Sequence, residues 1–411
     1  MIVPFLFFLL CVLHPNEGWS AKRWEVCSSG CEISSIQEAY KKSNPGDQIY
    51  VKAGIYHLSE LLVQKPVSFL GEKGAILQGN GQSEIMIVQS SNVTVDGFQI
   101  QGSGKSYIHD VAAIRFDKVK NAKFSNNQVH DAFFGVYFGE SQDSLIENNQ
   151  FLGPGKKEID SGDAVHIWHG KNFIVRKNQM RGHRDGIYLE FVTTTLIEDN
   201  RSWDNIRYGL HFMFSNENHF YRNYFGKNEA GVAIMYSQKI IVENNVFEES
   251  RGSAAYGALL KDISGSQIRN NHIRNNTIGL YMEGSNRSIY EGNKLENNGF
   301  AVRILGDCED NLFQQNSFRG NTADLTTNSS HNSNRFHHNY WDRYRGLDLN
   351  QDRYGDLPYR PAKISGQLVE RHGMHFFLWG SFFFQLLDIA EELFPDILPA
   401  TLVDAEPRIK P

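Results

Sequence analysis

The chain has 411 residues, 40% of them hydrophobic, and carries 41 Lys and Arg against 47 Asp and Glu, a formal net charge of -6. With like charges never gathered into a long block, this balance speaks against nucleic acid as a partner. Thirty-six glycines against eleven prolines, together with abundant Asn, argue against a helical bundle, because Gly and Asn favour turns and left-handed backbone over helix interiors.

Residues 1–20 have the form of a signal peptide. Met1 to Leu10 are almost wholly apolar, and Gly18 and Ser20 place small residues where a cut after Ser20 needs them, although no basic side chain precedes the apolar run. Cys11 lacks the small preceding residue of a lipoprotein cleavage site, so no lipid anchor is expected. Export leaves Cys27, Cys31 and Cys308 in an oxidising compartment, where the near pair is expected to close a local disulfide. A metal clip at Cys27 and Cys31 is the alternative, with no flanking His or Cys to support it. Cys308 is expected as a buried thiol.

Ile33 to Lys42 reads as a short amphipathic helix capped by Ser34 or Ser35. It would cover the open end of the architecture that follows. Weak strand patterns run through Val51 to Tyr56, Val67 to Leu70, Ile85 to Val88 and Val93 to Ile100. Asn then recurs at 127, 149, 178, 200, 223, 245, 271, 293, 316 and 339, mostly 22 or 23 residues apart and each time after a short apolar or β-branched run. A second run begins about nine residues later, usually at glycine, as in Gly186-Ile-Tyr-Leu and Gly209-Leu-His-Phe. Such a unit predicts an all-β fold, a right-handed parallel β-helix over residues 21–342. The repeated Asn suits a corner where its side chain satisfies backbone groups and stacks on the Asn of the next coil. Intervals of 29 and 26 residues mark insertions near Gly153 to Asp160 and Ser250 to Ala255, expected on one edge of the solenoid.

Residues 343–372 read as an Asp-, Tyr- and Arg-rich loop region, where Asp348, Asn350 and Asp352 imitate the first ligands of a calcium loop but Arg353 stands at its glycine position. In the tail, residues 373–411, the stretch Met374 to Ile389 is strongly apolar. Met374, His375, Phe376, Phe377, Trp379, Phe382 and Phe383 are the candidate contacts to a membrane-bound partner, with packing against the solenoid and a true membrane span as the other readings.

Alternation along the strands sends Ile187, Leu189, Leu210, Phe212, Val232 and Ile234 inward. One outward column then holds His166, Tyr188, His211 and Ala233. The next holds Trp168, Glu190, Met213 and Met235, with coils about 4.8 Å apart. Imidazole and thioether donors together favour a soft ion, above all Cu(I), so His211, Met213, Met235, His166 and Glu190 are candidate metal ligands. The same side chains could instead pack beneath the first insertion or a partner. Arg184, Asp185, Glu190 and Arg207 form a rival constellation for a polysaccharide lyase, epimerase or hydrolase, and a passive carbohydrate-binding β-helix is a third reading. Asp163 and Asp185 are the stacked carboxylate candidates, with corner roles as the alternative.

The stretches Arg207-Tyr-Gly-Leu-His-Phe-Met-Phe-Ser215 and Gly231-Val-Ala-Ile-Met-Tyr-Ser237, then Asn339-Tyr-Trp-Asp-Arg-Tyr-Arg-Gly346 and Gly355-Asp-Leu-Pro-Tyr-Arg-Pro361, resemble the NosD family of nitrous oxide reductase maturation proteins. The likeness runs from about Cys31 to Arg371. It implies a periplasmic protein, not an enzyme, held at the inner membrane by the permease and ATPase of an ABC transporter. Such a protein would receive Cu(I) transiently from a copper chaperone and help assemble the copper-sulfur cluster of apo nitrous oxide reductase. Carried over by position, His211, Met213 and Met235 become the leading copper-handling residues and the apolar tail the arm that contacts the permease. The Phe-rich tail and Arg353 depart from the family pattern.

Overall fold

Every strand of the solenoid except those at the two ends of each sheet pairs in parallel with the strand one coil before it and the strand one coil after it, which produces three long sheets of 14, 12 and 13 strands among the described residues. The computed structural model describes residues 21–106, 110–155, 157–329, 333–363, 381–393 and 402–410. The expected parallel β-helix is therefore the fold. The signal-peptide segment lies outside the described residues, as do Met374, His375, Phe376, Phe377 and Trp379.

The corner between the 14- and 13-stranded sheets explains the 22-residue period. There the residue before each ladder asparagine takes a left-handed φ, as at Asn148 (55°), Arg222 (54°) and His338 (56°), and the chain turns sharply. The following asparagine is buried. Its Oδ1 accepts the backbone N–H and the side-chain amide of the asparagine one coil earlier, while its own Nδ2 donates to a carbonyl and to the next asparagine. Asn223 shows the pattern: it accepts from Asn200 N and Nδ2, each at 3.0 Å, and donates to Ile197 O at 2.8 Å and Asn245 Oδ1 at 3.0 Å. The ladder ends at Asn339, whose N and Nδ2 both donate to Asp404 Oδ2, at 2.9 and 3.0 Å. Asp404 belongs to residues 402–410, which return to the last coil through bridges to Phe336 and Tyr359, so the final part of the tail closes the solenoid.

A second ladder, absent from the expectations, links Asn276, Asn298 and Asn321 at another corner, with Asn205 and Asn228 on earlier coils. The glycines that open the 12-stranded sheet serve close approach: a Cβ on Gly209 would lie 2.5 Å from Gly231 O, and one on Gly231 2.5 Å from Gly257 O. Inside, aromatic rings stack coil on coil, with Phe212 and Phe220 centroids 4.6 Å apart and Tyr290 and Phe313 4.4 Å apart.

At the N-terminal end, the helix Ile36–Lys42 is capped by Ser35, which accepts from Glu38 N, and buries Ile36 and Ala39. Cys27 and Cys31 form the disulfide, and Cys308 is a buried thiol, pushed up to about 12 by burial. Asp348, Asn350 and Asp352 accept backbone N–H groups of their own loop, as in Arg353 N to Asp348 Oδ2 at 2.9 Å, which accounts for their spacing without an ion. Both insertions leave the corner where the 13-stranded sheet passes to the 12-stranded one, the single edge expected of them. In the tail, the helix Phe382–Leu393 leaves Phe382 74% exposed and Phe383 57% exposed, while Phe384 is buried. No described helix is long and apolar enough to cross a membrane.

Asn223→Ala strands the buried N–H of Asn200 and the carbonyl of Ile197. A loss of about 3 kcal/mol in urea unfolding is expected, and an unchanged midpoint would show that the ladder contributes little.

Candidate functional site

The site lies on the outer face of the 12-stranded sheet, where register decides which side chains meet. His166 pairs with Tyr188, Tyr188 with His211, and His211 with Ala233. In the adjacent outward column Trp168 pairs with Glu190, Glu190 with Met213, and Met213 with Met235. Leu210 and Phe212 point into the solenoid core, and His211 and Met213 point away from it. His211 and Met213 thus share one strand and one face, and Met235 and Glu190 flank Met213 on the two adjoining rungs.

His166 does not join them. It stands two rungs from His211 with the Tyr188 ring between, 4.9 Å from the His166 ring and 4.7 Å from the His211 ring. It stacks on Tyr137 at 4.6 Å and meets Phe134 edge-on, at the margin of a small outer cluster of Ala112, Phe133, Phe134 and Tyr137. The reason is the column's own composition: a tyrosine on the intervening rung fills the space that a shared ion would need.

The outward column is also covered, since His166 is 8% and His211 6% exposed. Tyr188 and Tyr208 lie against His211, each with ring centroids at 4.7 Å, and Arg207 reaches Glu158 of the first insertion at 3.1 Å. Met213, Met235 and Glu190 remain half-buried and open to solvent. The Tyr188 hydroxyl donates to Met213 Sδ at 3.4 Å. Burial pushes the Tyr188 phenol well above its ordinary value, so it stays a donor at neutral pH.

Beneath the histidines sit two buried carboxylates. Asp163 Oδ2 lies 2.7 Å from His166 Nδ1, and Arg184 reaches Asp163 Oδ1 at 3.0 Å. Burial works against the Asp163 charge, yet the His166 hydrogen bond and the Arg184 guanidinium hold its carboxyl below the usual range. Asp185 Oδ2 lies 3.3 Å from His211 Nδ1. Here burial wins, and the carboxyl is raised despite the His211 contact. With Nδ1 of His211 turned to the carboxylate, its Nε2 is left buried with no hydrogen-bond partner. An imidazole oriented by a carboxylate through one nitrogen, with the other unpaired, is the usual form of a metal-ligating histidine. The residue types therefore suit a soft ion: a ready imidazole nitrogen beside two thioethers.

Of the rival constellation, Glu190 is half-buried, and its other members are engaged in contacts of their own. Asp163 and Asp185 are fully buried and engaged with histidines, Arg184 is tied to Asp163, and Arg207 to Glu158. Sequence reasoning missed these two roles because each contact joins a corner residue to a side chain on the outer face.

It also missed an exposed aromatic ladder. His169, Phe191, Phe214 and Tyr236 each follow the Trp168-to-Met235 column by one residue, at left-handed φ of 50 to 55°, which turns their rings outward. Their centroids stack at 4.7, 5.2 and 5.0 Å along the flank of the methionines. Intervals of 22, 23 and 22 residues between aromatic side chains were the available signal.

Fold and site together define a parallel β-helix that presents imidazole and thioether donors on an outer sheet face. The family model described as periplasmic copper-binding protein (NosD) matches residues 153–346, which include this face. A probable ABC transporter binding protein NosD of Stutzerimonas stutzeri is 30% identical over 378 residues, covering 87% of this chain and 86% of the relative. The protein of the same name from Pseudomonas aeruginosa is 28% identical over 384 residues, 89% of each. The chain belongs to the NosD family. Among solved structures, the catalytic domain of a GH87 alpha-1,3-glucanase in complex with tetrasaccharides aligns with a TM-score of 0.61 at 12% identity, covering 80% of this chain and 71% of that one. The Dettilon tailspike protein aligns at 0.58 and 13%, covering 74% and 69%. Both likenesses are of fold.

The two buried carboxylates are expected to answer differently to amide replacement. The folded pKa of Asp163 is depressed, so its stabilising contribution is present above the ordinary carboxylate value and is lost as pH falls through the depressed one. The folded pKa of Asp185 is raised, so its ionisation costs stability at neutral pH. Asp163→Asn should lose about 3 kcal/mol at pH 7 by removing the nearer of the two carboxylates that pair with Arg184 and the partner of His166, and Asp185→Asn should lose much less. Urea unfolding at pH 7 and at pH 4 checks this, and equal losses at pH 7 would contradict the assignment.

Proposed function

We propose that this protein is a periplasmic copper-handling partner of an ABC transporter that serves the maturation of nitrous oxide reductase. In this reading Cu(I), delivered by a copper chaperone, is the cargo. His211 Nε2, Met213 Sδ and Met235 Sδ receive it, with Glu190 at the edge of the site. The observation that carries the reading is the orphaned, buried Nε2 of His211 on the same strand face as Met213. Support comes from the family, whose model is described as periplasmic and copper-binding and whose relatives are named as binding proteins of ABC transporters.

Transfer needs an ion that leaves as readily as it arrives. The thioethers and the imidazole that receive Cu(I) are neutral donors, with the Glu190 carboxylate at the edge of the set, and the half-buried methionines leave a side open to the incoming and outgoing partner. The exposed Phe191, Phe214 and Tyr236 rings beside them offer an apolar rim for the docked chaperone or apo-reductase. The exposed Phe382 and Phe383 are assigned to the permease, which holds the protein at the inner membrane. The protein is read as no enzyme, because the stacked carboxylates Asp163 and Asp185 are buried and engaged with His166 and His211.

Anaerobic Cu(I) titration against a competing chelator tests the site. The His211→Ala/Met213→Ala/Met235→Ala variant should lose tight binding, and Asp185→Asn should weaken it by about 10- to 100-fold through loss of imidazole orientation. Parent-like affinity in the triple variant would sink the assignment, and release of unsaturated or reducing sugars from a uronan panel would revive the polysaccharide reading.

A further inference from the structure

At the far end of the solenoid a second set of donors meets. His337 ends the strand Arg335–His337, and His338 follows at the left-handed corner, φ 56°, that precedes the last ladder asparagine. The turn brings the two rings together with centroids 3.6 Å apart. Glu406 comes from the returning segment 402–410, and its Oε2 lies 2.9 Å from His338 Nε2. One ligand atom from each of the three side chains lies within 4.8 Å of the others. Metal bonds of about 2.0–2.2 Å place tetrahedral ligands roughly 3.4 Å apart. His337 and Glu406 are exposed and free to make the small rotations that close this gap.

We propose that His337, His338 and Glu406 form a divalent-metal site that fastens the C-terminal segment to the last coil. Two imidazoles and a carboxylate, with no sulfur, select a borderline divalent ion such as Zn(II) or Cu(II) over Cu(I). Three protein ligands leave a fourth position for water, so the ion exchanges with solution. The site is separate from the methionine face in sequence, position and donor chemistry.

Its consequence follows from what the returning segment does. Asp404 terminates the asparagine ladder and accepts from Trp341 Nε1 at 3.1 Å. Arg408 donates to the carbonyls of Gln315 and Asn316 at 3.0 and 3.2 Å, and its N–H donates to Asn339 O at 2.8 Å. Glu406 lies between these two anchors. An ion there ties the segment to the coil across 68 residues of chain and stabilises the closed end in proportion to its occupancy. The helix Phe382–Leu393 precedes this segment in the chain.

The test uses the mature full-length chain, stripped with chelator and titrated with Zn(II) alone against a chromophoric competitor. One equivalent should bind, and both His337→Ala/His338→Ala and the conservative Glu406→Gln should weaken it at least about tenfold. Hydrogen exchange at the Asp404 and Arg408 amides should slow on the order of 100-fold at free Zn(II) near 100 Kd in the parent and not in the variants. The His211→Ala/Met213→Ala/Met235→Ala variant should keep the whole Zn(II) response, which separates this site from the Cu(I) proposal. Parent-like Zn(II) affinity in Glu406→Gln, Zn(II) binding that leaves those two amides unchanged, or loss of the response in the methionine-face variant would each overturn the inference.

Discussion

A solenoid of this kind depends on one constraint: every coil must satisfy the backbone of its neighbour at the corners as well as along the strands. Strand pairing is automatic once coils stack, but the corners expose N–H groups that no strand reaches. The asparagine side chain solves this because it accepts and donates at once, so each residue in the column completes the one before and is completed by the one after. Such a series has to stop. Asp404 stops it with an acceptor-only carboxylate, aimed at the last two orphan donors of Asn339 and at the Trp341 indole. The end of the chain is thereby a structural part of the first-order repeat, although 65 residues of sequence separate it from Asn339.

The same stacking produces the candidate site. Because coils are in register, residues 22 or 23 apart become neighbours at the rung spacing, and an outward column becomes a row of side chains of chosen chemistry. Rows, however, hold what the row contains. Tyr188 between His166 and His211 divides one potential imidazole pair into two separate His–Asp units, and the two units have opposite electrostatics. Asp163 shares Arg184 and stays readily charged. Asp185 has a more distant guanidinium, 3.8 Å from Arg184 Nε, and resists ionisation.

Much of this was legible from residues alone. The Asn spacing announced the coils, and the period-two alternation placed Leu210 and Phe212 inside and His211 and Met213 outside, because a strand has only two faces. A serine cap at Ser34 or Ser35, which the structure resolves to Ser35, and the Cys27–Cys31 disulfide followed from local chemistry. What escaped were contacts between corners and faces. Asp185 reaches His211 across 26 residues, and neither its burial nor its target follows from strand alternation. Cover was equally hidden, since Tyr208 and the Arg207–Glu158 pair close over His211 from other positions. The apolar character of the tail drew attention to its middle, and the polar residues 404, 406 and 408 that bind the last coil carry no periodic signal.

The solenoid separates two kinds of surface that a globular pocket would have to combine. Its middle coils show a sheet face where soft donors stand in a row beside an exposed aromatic ladder, so a partner can approach along the sheet without opening the core. Its last coil joins a stretch of chain that contains an amphipathic, Phe-rich helix. Between the two runs a stack of coils whose corners are locked by consecutive hydrogen bonds, from Asn223 through Asn316 to Asp404. A stack so joined transmits displacement as a rod, because slipping one coil breaks the ladder above and below it. On the proposed reading, a partner that displaces the last coil displaces the copper-handling face with it, and the rigidity that makes the fold also makes that coupling direct.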